Sequence, residues 1–325
     1  MTEKENFMRI VQGKEAAWIP YYRDAVEWIF PDFVVAHMAR EDKTDLFGVR
    51  WIVSPDGRMA DSSYHVMEDI TRWRDLVRLP DLDAMDWEQI ARDSLKRHDP
   101  EKIMNVIITA ARSGTFFIPL VNMMGFEDAL VALLEEPEEV PEFVDYLADY
   151  DVRIAKKVIE YFKPDMIQVG DDIASSLSLF MSKPTFEELF RDGYQKIIAA
   201  GKEAGFPVEW HCCGKCEAVV EDFVQMGVDI WQPAQDLNDL PALMAKYKDR
   251  LVFEGCWQGC AAERPGAPEE EVRRSARDAI DKYAGAARYV FWDGDPVGPS
   301  EDARRKVEWL ASEVRSYGRT FCSRP

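Results

Sequence analysis

From about residue 104 onward, short apolar runs alternate with longer stretches of helical periodicity. The runs fall at Asn105–Thr109, Met166–Val169, Pro207–His211, Ile230–Trp231, Leu251–Gly255 and Arg288–Trp292. Strands that alternate with helices imply parallel pairing through crossover connections. The pattern therefore predicts an α/β protein of the TIM-like (β/α)8 barrel class.

Several helix ends are marked in the chain. Pro184 suits a first helical turn, and Thr185-Phe-Glu-Glu188 has the form of a capping box. Ser300 precedes two acids, which favour a helix N-terminus. Val307, Leu310, Ala311 and Val314 then recur at helical spacing, and Gly318 is the predicted stop. The acidic run Glu135-Glu-Pro-Glu-Glu139 reads as a solvated helix junction.

The first hundred residues are less regular, with Pro20, Pro31, Pro55, Pro80 and Pro100 breaking them up. They predict one early strand, Trp18–Tyr22, followed by a long excursion that caps one face of the barrel. No linker-like stretch divides the chain. The expected organisation is one domain over 1–325, with an irregular N-terminal portion at 1–103 and a regular β/α portion at 104–325.

Composition narrows the function. Hydrophobic residues make up 47% of the chain, enough for a large core. A formal net charge of −20 opposes binding to nucleic-acid backbones or anionic membranes. There is no apolar run of membrane-spanning length, and the charged N-terminus lacks an apolar signal core, so a cytoplasmic location is expected. In that compartment clustered cysteines read as metal ligands or redox groups.

The strand ends carry polar groups: Gly170-Asp171-Asp172, His211-Cys212-Cys213-Gly214, Gln232-Pro-Ala-Gln235, Glu254-Gly-Cys256 and Asp293-Gly-Asp295. In a barrel these ends share the face where chemistry occurs. His211 and Cys213 are two apart, so an extended strand places both on one side, with Cys212 turned into the packing. Imidazole and thiolate suit zinc, and a catalytic site needs a third protein ligand while keeping one position open. Asp295, Cys256 and Glu254 are the contenders for that third place. Rival readings are a redox pair at Cys213-Gly-Lys-Cys216, a structural four-cysteine site completed by Cys256 and Cys260, and buried groups without a ligand. Asp171 and Asp172 could bind substrate or cap a turn. His37, His65 and His98 read as structural or surface residues. No Walker loop, GxGxxG fingerprint or nucleophile elbow is present.

Gly170-Asp-Asp172, Lys183-Pro-Thr-Phe-Glu-Glu188 and His211-Cys-Cys-Gly214 together resemble the uroporphyrinogen decarboxylase-like superfamily, in its cobalamin-dependent methyltransferase branch. The family's H-x-C-G element falls on His211, Cys213 and Gly214. Gly227-Val-Asp229, Gln235, Asp45-Leu-Phe-Gly-Val49 and Leu79-Pro-Asp-Leu-Asp83 extend the likeness over most of the chain. The resemblance implies a zinc-dependent methyltransferase that moves a methyl group between a small molecule and the cobalamin of a partner corrinoid protein. In the methylcobamide:coenzyme M transferases a cysteine after the last strands is the third zinc ligand. Here Trp292-Asp-Gly-Asp-Pro296 puts Asp295 in its place, so the implied ligands are His211, Cys213 and Asp295. An oxygen ligand favours O-demethylation of a methoxylated substrate, methoxylated aromatics included, over transfer to a thiol acceptor. Asp171 and Asp172 are the implied catalytic residues, with Gln235 and Arg23 as substrate-binding residues. True decarboxylases clamp their substrate with an arginine-rich segment, where this chain offers only Arg23. A non-enzymatic corrinoid or tetrapyrrole binder is the remaining alternative. A homodimer is compatible with each of these readings.

Overall fold

The structure is a computed structural model that describes residues 1–31, 43–45, 47–54, 57–108, 114–257, 262, 264–294 and 300–322. It contains β1 (Val26–Ile29), β2 (Lys43–Thr44), β3 (Arg50–Ser54), β4 (Gly57–Ala60), β5 (Ile103–Ile107), β6 (Met166–Gly170), β7 (Val208–His211), β8 (Ile230–Ala234), β9 (Val252–Cys256) and β10 (Arg288–Trp292). Seven strands form one curled parallel sheet in the order β1-β5-β6-β7-β8-β9-β10. The strands β2, β3 and β4 form a small antiparallel sheet in the N-terminal excursion.

The two ends of the large sheet are drawn together. Tyr21 makes a parallel bridge to Phe291 of β10, and the Phe291 amide donates to the Pro20 carbonyl at 3.0 Å. The chain then makes a single helical turn, Tyr22–Ala25, before β1 pairs with β5. The early strand expected at Trp18–Tyr22 is thus one bridge, and the paired strand begins four residues later. Among the described residues the sheet has seven strands, where eight were expected. One segment meets β10 through Tyr21 and β5 through Val26–Ile29.

Side chains alternate between the sheet's inside and outside, as a period of two requires. Val26, Ile103, Met166, Ile230, Val252 and Val290, each from a different strand, form the floor of the interior with Phe7 and Ile10 of helix Glu3–Val11. Outward-facing Val106, Ile167, Val208, Trp210, Trp231 and Phe253 join the larger core beneath the helices. Above the floor lies a polar layer of Asn105, Gln168, Glu209, Gln232 and Glu254, all buried. In the excursion, Asp45 accepts from the Phe47 and Val49 amides and from Trp51 Nε1 at 2.8–3.0 Å, which closes the turn ahead of β3.

Helix Lys183–Leu189 is capped by Ser182, whose hydroxyl accepts from the Thr185 amide. The expected cap at Thr185 therefore lies inside the helix. Ser300 caps Glu301–Phe321 as anticipated, but this helix runs through Gly318. The helix passes close to Ile19 there, where a Cβ at position 318 would lie 3.1 Å from Ile19 Cβ. Among the described residues, no single helix is long and apolar enough to cross a membrane.

Candidate metal centre

The centre starts where β7 ends. Gly170 on the neighbouring strand gives His211 its room: a Cβ there would lie 2.7 Å from His211 Cβ. His211 Nδ1 lies 2.5 Å from Gln232 Oε1. An amide oxygen only accepts, so Nδ1 carries the proton and Nε2 presents its lone pair. That lone pair faces Cys213 Sγ at 3.6 Å and Asp172 Oδ1 at 3.8 Å. The three donor atoms lie within 4.8 Å of one another.

These spacings suit a tetrahedral ion. Zinc bonds of about 2.1 Å to nitrogen and 2.3 Å to sulfur imply a nitrogen–sulfur edge of about 3.6 Å. The nitrogen–oxygen edge should be about 3.4 Å, so Asp172 needs only a small movement. The residues therefore fit a metal ion. His211 and Asp172 are partly exposed, which leaves their outer side open to the mouth. Burial, followed by the Asp172 charge, pushes the Cys213 thiol up to about 12. Without a cation, Cys213 keeps its proton.

The loop bearing Cys213 is pinned on both sides. Its amide donates to Asp172 Oδ1 at 2.7 Å, and the Gly214 amide donates to Gln235 Oε1 at 2.6 Å. The Lys215 amide donates to the Ser175 carbonyl at 2.7 Å. Asn238 Nδ2 donates to the Gly214 carbonyl at 3.0 Å. Gly214 has φ +92°, and a Cβ there would lie 2.6 Å from the Ser175 oxygen, so glycine is the residue that fits. Trp28 sets its edge against the His211 ring, with centroids 6.4 Å apart, and is itself 6.4 Å from Trp292.

Asp171 lies apart from this group. Its carboxylate accepts from the Phe116, Phe117 and Ile118 amides at 2.6–3.0 Å and from Tyr194 Oη at 2.8 Å. It anchors the start of helix Phe117–Met124 in a fully buried setting. Burial raises its pKa, while those donors act in the opposite direction. Arg23 is held by Asp293 at 2.7 Å, and Tyr21 Oη donates to the same carboxylate at 2.9 Å. Asp295 and Cys260 lie outside the described residues, as does His37. Cys212 is buried in the core under the helices, as expected from strand alternation, and Cys216 is buried as well.

Glu254 sits in the interior layer, and both its oxygens lack a hydrogen-bond partner. Burial, and then the neighbouring Glu209, raise its pKa well above the usual range. Burial pushes Glu209 up to about 7, although it accepts from Asn105 Nδ2 at 3.0 Å and from Gln168 Nε2. Gln232 was legible only as one of several polar strand ends. Its service to His211 depends on the register His211↔Gln232, which pairing sets and composition does not reveal.

A curled parallel sheet whose rim gathers an imidazole, a thiol and a carboxylate within 4.8 Å of one another defines an α/β protein with a metal-competent mouth. The uroporphyrinogen decarboxylase (URO-D) family model matches residues 58–317, and the chain belongs to that family. Among solved structures it resembles a methyltransferase from Methanosarcina mazei, with 12% identity and a TM-score of 0.66, covering 98% of this chain and 99% of that one. At that identity the likeness is one of fold. It also aligns with a dihydropteroate synthase from Anaplasma phagocytophilum, at 18% identity and a TM-score of 0.40, over 54% of this chain and 69% of that one. No curated protein matches the chain.

Proposed function

We propose that the protein is a zinc-dependent methyltransferase acting with a separate corrinoid protein, and that it demethylates a methoxylated small molecule. The observation that carries this reading is the Asp172, His211 and Cys213 triad at tetrahedral spacing on the open rim. Bound zinc would supply Lewis acidity to the oxygen that parts from the methyl group. The partner's cobalamin would supply the methyl acceptor.

The chain's own residues do the rest. Gln232 holds His211 in the tautomer that offers Nε2 to the ion. Asp172 positions the Cys213 amide and gives an oxygen donor beside a single thiolate. That donor set is poorer in electrons than one with two thiolates, which suits release of an alkoxide or phenolate more than activation of a thiol acceptor. Trp28 and Trp292 shield the inner side of the centre from water. Asp295 is a competing oxygen donor, and comparing the zinc affinity of Asp172→Asn with that of Asp295→Asn separates the two. Arg23 is engaged by Asp293, which weighs against a decarboxylase that clamps substrate carboxylates.

The test is methyl transfer from methoxylated donors to reduced corrinoid, followed by the corrinoid's visible spectrum. Zinc-loaded protein should convert the corrinoid to its methylated form, and His211→Ala and Cys213→Ser should not. A spectral shift without turnover would mark a binding protein instead, and activity surviving in His211→Ala would refute the site.

A further inference from the structure

Two hollows meet at the end of β9. One, of about 190 Å³, lies at the mouth and is bounded by Gln235, Leu237, Trp257, Trp292 and Asp293. Gln235 on its wall accepts from the Gly214 amide, which links this hollow to the loop that carries Cys213. The other, of about 470 Å³, is bounded by Trp257, Val272, Asp293, Ala303, Val307 and Leu310. Trp257 and Asp293 belong to both linings, so the two spaces abut.

The boundary is built and held. Cys256 has φ +60°, a left-handed conformation that costs a Cβ-bearing residue about 1–2 kcal/mol. It turns the chain as it leaves β9. Trp257 Nε1 then donates to Ser275 Oγ at 2.9 Å, which fixes the indole between the hollows. The charges on the larger chamber's wall are compensated within the protein. Tyr21 and Arg23 bond Asp293, and Lys306 Nζ lies 2.7 Å from Asp302 and 2.5 Å from the Arg264 carbonyl. Among the described residues this wall is largely apolar and its charges are paired, which favours an uncharged ligand, and the volume falls in the range of small-molecule pockets.

We infer that this chamber binds the uncharged, ring-sized apolar body of the substrate, while the mouth receives its methylated end. The inference rests on the proposed methyl transfer for the identity of the substrate, but the binding site stands on its own geometry. The probe is 1,2-dimethoxybenzene, titrated calorimetrically into the full chain. One molecule should bind per chain. Ala303→Trp and Val307→Phe should each weaken binding at least about tenfold by filling the chamber. The anionic 3,4-dimethoxybenzoate should also bind at least about tenfold more weakly. In the unsubstituted protein, nuclear Overhauser effects should connect the probe's ring protons to the Val307 and Leu310 methyls. Absence of binding to the wild-type chain, unchanged affinity in the filled variants, or ring contacts elsewhere would overturn the assignment. Binding without any methyl transfer would leave the chamber standing and refute the proposed reaction instead.

Discussion

Gln232 Oε1 and His211 Nδ1 are 2.5 Å apart across the β7–β8 pairing, and this contact decides which imidazole nitrogen faces Cys213 and Asp172. Partners of this kind contribute roughly 10–100-fold to metal affinity. Gln232→Leu should lose that much zinc affinity, measured by competition with a chromophoric chelator. Gln232→Glu, which still accepts from Nδ1, should keep most of it. Equal losses in both variants would mean that Gln232 acts only through packing.

Metal binding should release a proton from Cys213, whose thiol is pushed up to about 12 in the free chain. Zinc affinity should then rise about tenfold per pH unit between about pH 6 and 9. Calorimetry in buffers of different ionisation enthalpy reads the released proton directly. A Cys213→Ser protein should lose this component.

Removing the ion should leave the fold intact. The triad sits on the rim, above a floor of Val26, Ile103, Met166, Ile230, Val252 and Val290 that owes nothing to a metal. Far-ultraviolet circular dichroism should be unchanged in chelator. Zinc at 100 times its dissociation constant should add about 3 kcal/mol of stability. Unfolding on chelation would favour a structural cysteine site.

Asp171 should matter for stability more than for metal. Asp171→Asn turns an amide NH2 toward a set of N–H and O–H donors, leaving some of them unpaired in a buried setting. The expected loss is about 3 kcal/mol in urea unfolding, with zinc stoichiometry unchanged. Loss of zinc in a folded Asp171→Asn protein would place Asp171 in the site after all.

The interior glutamates should tilt stability with pH. Both carboxyls hold their protons in the folded chain to higher pH than the ordinary value of 4.5, and for Glu209 to about 7. The unfolded chain releases those protons first, so the folded state binds more protons in this window and stability falls as pH rises through it. For Glu209 the full span is about 3 kcal/mol. Glu254→Gln should therefore raise the melting temperature more at pH 8 than at pH 5. An equal rise at both values would show that Glu254 is not the titrating group.

Much of this architecture could be read from the chain. Six apolar runs fall on β5 to β10, shifted by up to three residues at their ends, because alternation is a strong local signal. His211 and Cys213 come together because a period of two puts them on one side. The N-terminal region was less legible. The turn at Tyr22–Ala25 and the bridge Tyr21↔Phe291 depend on what lies across the sheet, which no local pattern encodes. Asp171 and Asp172 are neighbours of one residue type, and only the fold separates the buried anchor from the rim donor. Ser182, an ordinary serine in the chain, serves as the cap because Pro184 leaves its helix start three residues earlier than the capping-box pattern suggests.

The tethers around Gly214 have one further consequence. Ser175, Gln235 and Asn238 grip the turn after β7 through its backbone, so the donor atoms owe their placement to folding rather than to the arriving ion. An ion that enters such a cradle causes little rearrangement and forfeits little disorder. Discrimination between metals then falls to the chemistry of nitrogen, sulfur and oxygen, and hardly at all to any closing movement of the protein.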